Sequence, residues 1–435
     1  MEDIQNNTQN NTQNNVIFVL ASVLKYAKDV RMYEKIGKSL IKKYKNANFH
    51  FVGQACATPT ETTEDNAEIT KNIHFHELFN FNRIAVKRFF TLFTFFFFLL
   101  KTKPNILIIG TFELLLPSVF YKIFRFIFRL KKVKLIYDVQ ENYVANIRYT
   151  KVFLPLLRDI IAVYVYLVEK ITCFFVNFFF LAENCYEQEL TFIGKTKENQ
   201  QKKYEILPNF ILREDLKTEE KTVKFAKRKP AILQANSTFL LSMGTVSKEY
   251  GIEKLFPFLD NFDAENNRII NLTLDIFGHT PAKSDFSTLG FLDGLMLINN
   301  IRLITKVSRK PIPYAQIKEK MRAAAQRNTF VVMPYNINKS YEKRIPTKFY
   351  ECLAYNLPMI IQENKYWEDF FEQIQNLIPT HKINVTFVDF NDTETPFDYK
   401  ILIKNLTQKN QNSHLIAELP IFWDICEERL NKINF

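Results

Sequence analysis

Short apolar runs alternate along this chain with longer stretches in which apolar residues recur every three or four positions. Val16 to Ala21 is an unbroken apolar run of the kind that suits a parallel strand covered on both faces. Met32, Ile36, Leu40 and Ile41 then fall at helical spacing between Asp29 and Lys43, with Asp29 placed to cap the helix, and Phe49 to Val52 closes on Gly53 as a second strand. The pattern predicts further strands at Ile106 to Gly110, Leu135 to Asp138, Phe174 to Leu181, Phe239 to Met243, Leu272 to Phe277, Ile301 to Ile304 and Phe330 to Met333. Helices are expected at Pro155 to Lys170, Pro313 to Arg327 and Lys365 to Leu377. Strands and helices in that order predict doubly wound α/β domains, whose ligands sit beyond the carboxyl ends of the strands.

The 435 residues are long for one such domain and comfortable for two. Residues 16–212 read as the first and 238–419 as the second, joined by a Lys- and Glu-rich linker, 213–237. The polar repeat NNTQNNTQNN makes 1–15 an expected disordered lead, with no basic and apolar segments of a secretory signal. Residues 420–435 read as a helix that returns to the first domain.

A net charge of +12 points to an anionic partner, yet the charge is spread through the chain and no nucleic-acid motif accompanies it. Five scattered cysteines without a CxxC read as reduced core thiols of a cytoplasmic protein. His74 and His76 form an HxH pair, which without further Cys or His nearby is better read as an ordinary strand pair than as a metal site.

The chemistry concentrates in Phe330 to Ile361. A strand ends at Pro334, a polar loop of about a dozen residues follows, and Pro346 opens a helix that Asn356 and Pro358 close. Lys343, Arg344 and Lys348 crowd the start of that helix, where acidic side chains are the usual choice, so a phosphate is expected there. Glu351 follows Lys348 by three and shares its face; an isolated surface pair of this kind would carry only a few tenths of a kcal/mol. Pro334-Tyr335, then Ile345 to Glu351, then Leu353 to Pro358 resemble the donor-site segment of retaining GT4-type glycosyltransferases, roughly Pro-Tyr, a loop, iPxKxxE and a run ending Gly-x-Pro.

That resemblance implies a GT-B fold, two Rossmann-like doubly wound domains facing across a cleft, with the nucleotide on the second. It implies Lys348, Glu351 and Lys343 as catalytic, with Tyr335 and Arg344 beside the donor. Gly244, Thr245 and Lys248 lie in the loop that grips the diphosphate in such enzymes, although Thr245 and Tyr250 stand where the family often has Arg and Lys. Asp138, Gln140 and Glu141 resemble the family's DxHE element, with Gln140 in place of His, and are expected to position acceptor or sugar. The Gly278 strand end is more simply a turn, and the backbone near Lys306 to Pro311 is expected to choose the base. No metal and no further cofactor is expected, the donor being a UDP- or GDP-linked sugar.

The expected activity is retaining transfer to a glycan or lipid-linked glycan of a bacterial surface polysaccharide. Rival readings are an epimerase or hydrolase on the same fold, and a noncatalytic glycan or nucleic-acid binder. Phe89 to Leu100 is apolar but too short to cross a bilayer, which takes about twenty residues, and reads as buried or pressed into a membrane surface. Val119 to Lys134 sets Lys122, Arg125 and Arg129 on one side and Phe120, Phe124, Ile127 and Phe128 on another. It is either an outer helix with a solvated cationic face or a helix lying on anionic lipid. The resemblance favours lipid, hence peripheral contact with the inner face of the plasma membrane. Oligomeric state is not legible.

Overall fold

The computed structural model describes residues 16–55, 72–80, 90–149, 154–193, 203–216, 237–266, 271–280, 301–309, 312–379, 382–392 and 419–435. The polar lead 1–15, most of the linker and part of the 306–311 segment lie outside them. The chain divides into one unit of Met1–Phe210 with Trp423–Phe435 and a second of Ile211–Phe422. Where it passes from one to the other, Ile211 N–H donates to Ile421 O at 2.9 Å.

The first unit is built on seven parallel strands: β1 (Ile17–Tyr26), β2 (Asn48–Gln54), β3 (Ile73–Phe79), β4 (Ile106–Ile109), β5 (Lys134–Val139), β6 (Phe178–Leu181) and β7 (Tyr204–Ile206). Their order is β3-β2-β1-β4-β5-β6-β7. Phe18, Val19, Leu20 and Ala21 are fully buried at its centre, because helices cover both faces of a parallel sheet. A wide π-type turn, Val30–Gly37, leads into α1 (Lys38–Lys43), and Asp29 caps it by accepting from Arg31 N–H. The other crossovers are α2 (Thr91–Thr102), α3 (Leu115–Ile127), α4 (Tyr143–Tyr149) and α5 (Pro155–Thr172). The predicted strand at Phe174 to Leu181 begins only at Phe178, since Cys173–Phe175 tightens the end of α5 as a 3-10 turn.

The helix predicted over Val119 to Lys134 ends at Ile127, and Arg129 takes a left-handed conformation beyond it (φ 51°). Its cationic side does not face outward. Lys122 Nζ donates to Phe175 O and Asn177 Oδ1, both at 2.7 Å, and Arg125 is buried with its guanidinium on Tyr121 Oη and Lys131 O, both at 3.1 Å. Of the three cations read as one surface, only Arg129 is exposed. Among the described residues no helix is long and apolar enough to cross a membrane.

The second unit carries six parallel strands: β8 (Ser237–Thr245), β9 (Asn271–His279), β10 (Ile301–Ser308), β11 (Thr329–Met333), β12 (Met359–Gln362) and β13 (Val385–Val388), in the order β10-β9-β8-β11-β12-β13. Its helices are α6 (Leu255–Asn266), α7 (Tyr314–Ala325), α8 (Thr347–Ala354) and α9 (Lys365–Leu377). The last helix, α10 (Trp423–Lys432), belongs to the first unit. There Trp423 Nε1 donates to Ser39 Oγ at 3.0 Å, Arg429 donates to Ile206 O at 2.8 Å, and Phe435 packs edge-on against Phe18 and Phe180.

The HxH pair lies on β3, with both rings stacked on His50 of β2 and His50 Nδ1 2.9 Å from His76 Nε2. Burial, then the neighbouring His74 and His76, lowers His50 to about 4. Its unfolded value is near 6.5, so the unfolded chain binds the extra proton first. Stability from this cluster is therefore complete above about pH 6.5 and declines as pH falls towards about 4. Urea midpoints measured near pH 7.5 and near pH 5 should drop for the native chain and drop less for His50→Phe; equal drops would reject the cluster as the source.

Candidate functional site

Each sheet has one point where the strand order reverses: between β1 and β4 in the first, between β8 and β11 in the second. Crossovers leave such a point in opposite directions, so the strand ends there open into a crevice lined by backbone.

In the second unit β8 runs into Gly244, whose φ of +109° only glycine adopts without strain. A side chain there would also collide with Lys348 Nζ and would lie 2.7 Å from Lys348 Cε, so the ammonium rests against bare backbone at the strand end. Gly251 (φ +73°) is needed for the same kind of reason, since a Cβ there would strike Pro334 O. Gly278 is likewise packed against Gly244 O, which makes it a close approach of two strands and more than a plain turn. Lys348 reaches Gly244 from the first turn of α8. That turn has no acidic residue, and Pro346 at its cap offers no side-chain hydrogen bond, although Phe349 N–H is bonded to Pro346 O at 2.9 Å.

Around this pair the structure gathers several of the residues singled out above. Thr245 pairs in register with His279 of β9. Tyr335 stands edge-on to both Tyr250 and Trp367, and its hydroxyl is driven well above the usual phenol range, by burial first and Tyr250 second. Tyr341 Oη donates to Tyr250 Oη at 3.0 Å, tying the long loop after β11 to the loop after β8. Asn336 Nδ2 adds a bond to Lys248 O at 2.5 Å, while the Lys248 side chain is exposed. Glu351 is buried on α8, and its charge helps raise Tyr355, whose shift to about 12 comes first from burial. It acts in the same sense on Tyr314, which also meets Asp215 at 3.3 Å.

Lys343 and Arg344 are placed differently. Lys343 lines a cavity of about 670 Å³ with Lys254, Asn336, Asn364 and Asp389, a space that neither Gly244 nor Lys348 lines. Arg344 O accepts from Trp367 Nε1 at 2.7 Å, which pins the loop onto α9. His279 was not legible as a site residue: a single His after a strand carries no signal until the fold sets it beside Lys348. Burial and then the Lys348 charge hold its imidazole below the ordinary range, so it is neutral near pH 7.

In the first unit Gln140 occupies the reversal point. A Cβ on Gly110 would come within 2.7 Å of Gln140 Nε2, and that amide donates to Asp138 Oδ2 at 2.9 Å. Asp138 cannot serve as a free base, because Arg31 grips both its oxygens at 2.6 to 3.1 Å. Arg31 also donates to Leu207 O at 2.8 Å and Asn209 Oδ1 at 2.9 Å, joining three separate segments of the unit. Burial works against the Arg31 charge, and the Asp138 carboxylate overcomes it and holds the guanidinium above its usual range. Glu141 accepts from Asn146 Nδ2 at 2.9 Å and faces α4. Among the described residues no group of three His, Cys, Asp or Glu side chains is placed to hold a metal ion.

No protein-family model matches the chain, and no curated protein matches it in sequence. Solved structures do match in shape. WaaG, a glycosyltransferase involved in lipopolysaccharide biosynthesis, aligns over 96% of this chain and 100% of its own with a TM-score of 0.56 and 12% identity. Sucrose-phosphate synthase from Thermosynechococcus elongatus aligns over 96% and 94%, at 0.55 and 14%. The catalytic domain of starch synthase IV from Arabidopsis thaliana, solved with ADP and acarbose, aligns over 96% and 98%, at 0.56 and 11%. The chain has the GT-B fold. At these identities the likeness carries the fold and nothing finer.

Removing one partner of a buried ion pair strands the other without solvent. Asp138→Ala should therefore destabilise the first unit by about 3–5 kcal/mol, read as a lowered urea midpoint. A loss below about 1 kcal/mol would mean that Arg31 is held by Leu207 O and Asn209 alone.

Proposed function

We propose that the chain is a GT4-type glycosyltransferase that moves a sugar, with retention, from a nucleoside diphosphate sugar to a glycan or lipid-linked glycan of a bacterial surface polysaccharide. The observation that carries this reading is the Lys348 ammonium laid against the Gly244 backbone, beside the uncapped start of α8, at the point where the second sheet reverses. That combination suits a diphosphate. The glycine leaves room for phosphate oxygens, the helix start offers N–H donors, and the ammonium neutralises charge as the leaving group departs.

In this reading the bond from the anomeric carbon to the diphosphate oxygen breaks, an acceptor hydroxyl oxygen bonds to that carbon, and the hydroxyl proton leaves with the released diphosphate. Lys348 stabilises the departing anion, and Glu351 accepts hydrogen bonds from the ribose hydroxyls. Thr245, Lys248, Tyr335 and Arg344 shape the donor loop, while Asp138, Gln140 and Glu141 order the sugar or acceptor side. Positive charge from Lys348 and the helix start does the work that a metal does elsewhere. Lys343 has a lesser part, since it lines a cavity whose lining includes neither Gly244 nor Lys348. The likeness in fold to Anabaena Alr3699/HepE in complex with UDP and glucose, and to starch synthase IV bound to ADP and acarbose, favours a nucleotide donor.

Incubation with a panel of UDP and GDP sugars, followed by detection of free nucleoside diphosphate and mass analysis of the acceptor, tests the proposal. Lys348→Ala and Glu351→Ala should each lower turnover by about 100-fold or more with the thermal midpoint little changed, and Lys343→Ala by much less. Gly244→Ala should weaken donor binding, since strain and the Lys348 collision arise together. Native turnover in Lys348→Ala would reject the assignment, and free sugar in place of a glycosylated acceptor would identify a hydrolase.

A further inference from the structure

The cavity of about 670 Å³ in the second unit is lined by neither Gly244 nor Lys348. It opens beyond the carboxyl ends of β12 and β13, neighbouring parallel strands paired Gln362 to Val388, so the side chains that close each strand meet there. Gln362 is 4% exposed and lies deep in the wall, whereas Asp389 and Asn391 are exposed at the rim.

The Gln362 amide holds a carboxylate and an ammonium apart. Its Nε2 donates to Asp389 Oδ1 at 3.0 Å, and its Oε1 faces Lys254 Nζ at 3.5 Å. Asp389 Oδ1 also accepts from Asn391 N–H at 3.0 Å and from Asn391 Nδ2 at 2.8 Å. Three donors thus share one oxygen, and among the described residues none reaches Oδ2. The other contact of Lys254, with Tyr335 O, is again 3.5 Å, longer than a good hydrogen bond. The Asp389 carboxyl is held below its ordinary range, by the Gln362 amide first, and is ionised near neutral pH. One fixed acceptor and one fixed donor therefore stand half used on the same cavity.

Charge and lining choose the ligand. Three lysines and four acidic residues surround the space, so neither sign prevails and a phosphate finds no field to draw it in. Among the described residues no trio of metal-binding side chains is placed to hold a cation. Of the lining residues only Ile337 and Tyr366 carry a hydrophobic side chain, too little for a lipid tail. A neutral ligand whose groups both donate and accept is what remains, and sugar hydroxyls do both. We propose that this cavity binds a neutral saccharide unit of a glycan, apart from the donor crevice, with Asp389 Oδ2 and the Lys254 ammonium taking neighbouring hydroxyls and Tyr366 supplying ring surface. The volume is that of an ordinary small-ligand site, and the exposed rim lets a longer chain run on past the bound unit. The proposal stands on these side chains and not on the donor-site reading, so the two can fail separately.

The test is saturation-transfer NMR of the full chain with maltotriose, cellotriose and mannotriose, three neutral probes of different linkage. At least one should bind, and Asp389→Ala and Lys254→Met should each weaken its Kd by about tenfold or more while circular dichroism stays native. Asp389→Asn, which keeps an oxygen for Gln362 and Asn391 and changes the outward atom, reads the same site if the alanine variant fails to fold. The probe should bind Lys348→Ala with native affinity, and neither UDP nor GDP should displace it. Loss of binding in Lys348→Ala, or displacement by either nucleotide, would place the saccharide in the donor crevice and overturn a separate site. So would binding of none of the three probes, native affinity in both the Asp389 and Lys254 variants, or inorganic phosphate binding that Lys254→Met abolishes.

Discussion

The contact on which the second unit depends is a lysine ammonium resting on naked backbone. A side chain at position 244 would displace the end of Lys348, and the chain could not leave β8 as it does without the positive φ that glycine permits. One residue type thus satisfies a conformational and a steric demand together. The loop after β11 is then held by contacts that are aromatic and amide in character: Tyr341 on Tyr250, Asn336 on Lys248 O, Trp367 on Arg344 O. None of them consumes Lys348. The loop is thus held by groups other than the Lys348 ammonium.

The first unit follows the opposite rule at its own reversal point. Its strongest charged group there, Arg31, is fully engaged with Asp138, Leu207 O and Asn209, and it ties the wide turn after β1 to the ends of β5 and β7. The polar group left at the front is the Gln140 amide over Gly110. A neutral amide suits hydroxyl recognition better than charge stabilisation. This division, cations over the second sheet and an amide over the first, is what a donor with a phosphate and an acceptor with hydroxyls would require of the two units separately.

Much of this was legible in the residues. The apolar runs located nearly every central strand, because a parallel strand covered on both sides cannot alternate, and Pro346 marked the start of α8. Tail helix α10 and the Asp29 cap also follow from local pattern. Other features had no local signal. β13 is a short run of half-buried residues, His279 is a lone imidazole, and the separation of Lys343 from Lys348 over five positions arises from the loop's path and not from its composition.

Helices α3 and α5 show where the boundary falls. Periodicity alone determined that each has an apolar side and a polar side, since side-chain direction along a helix follows from 3.6 residues per turn. It could not decide which side points inward. That was settled by what the neighbouring elements offered: carbonyl and amide oxygens at Phe175 and Asn177 for Lys122, the Tyr121 hydroxyl and Lys131 O for Arg125, the Tyr137 hydroxyl for Glu169. A charged group goes inside only where partners wait for it: Arg125 finds them within its own helix and the turn after it, whereas those of Lys122 and Glu169 come from segments that only the folded sheet brings within reach.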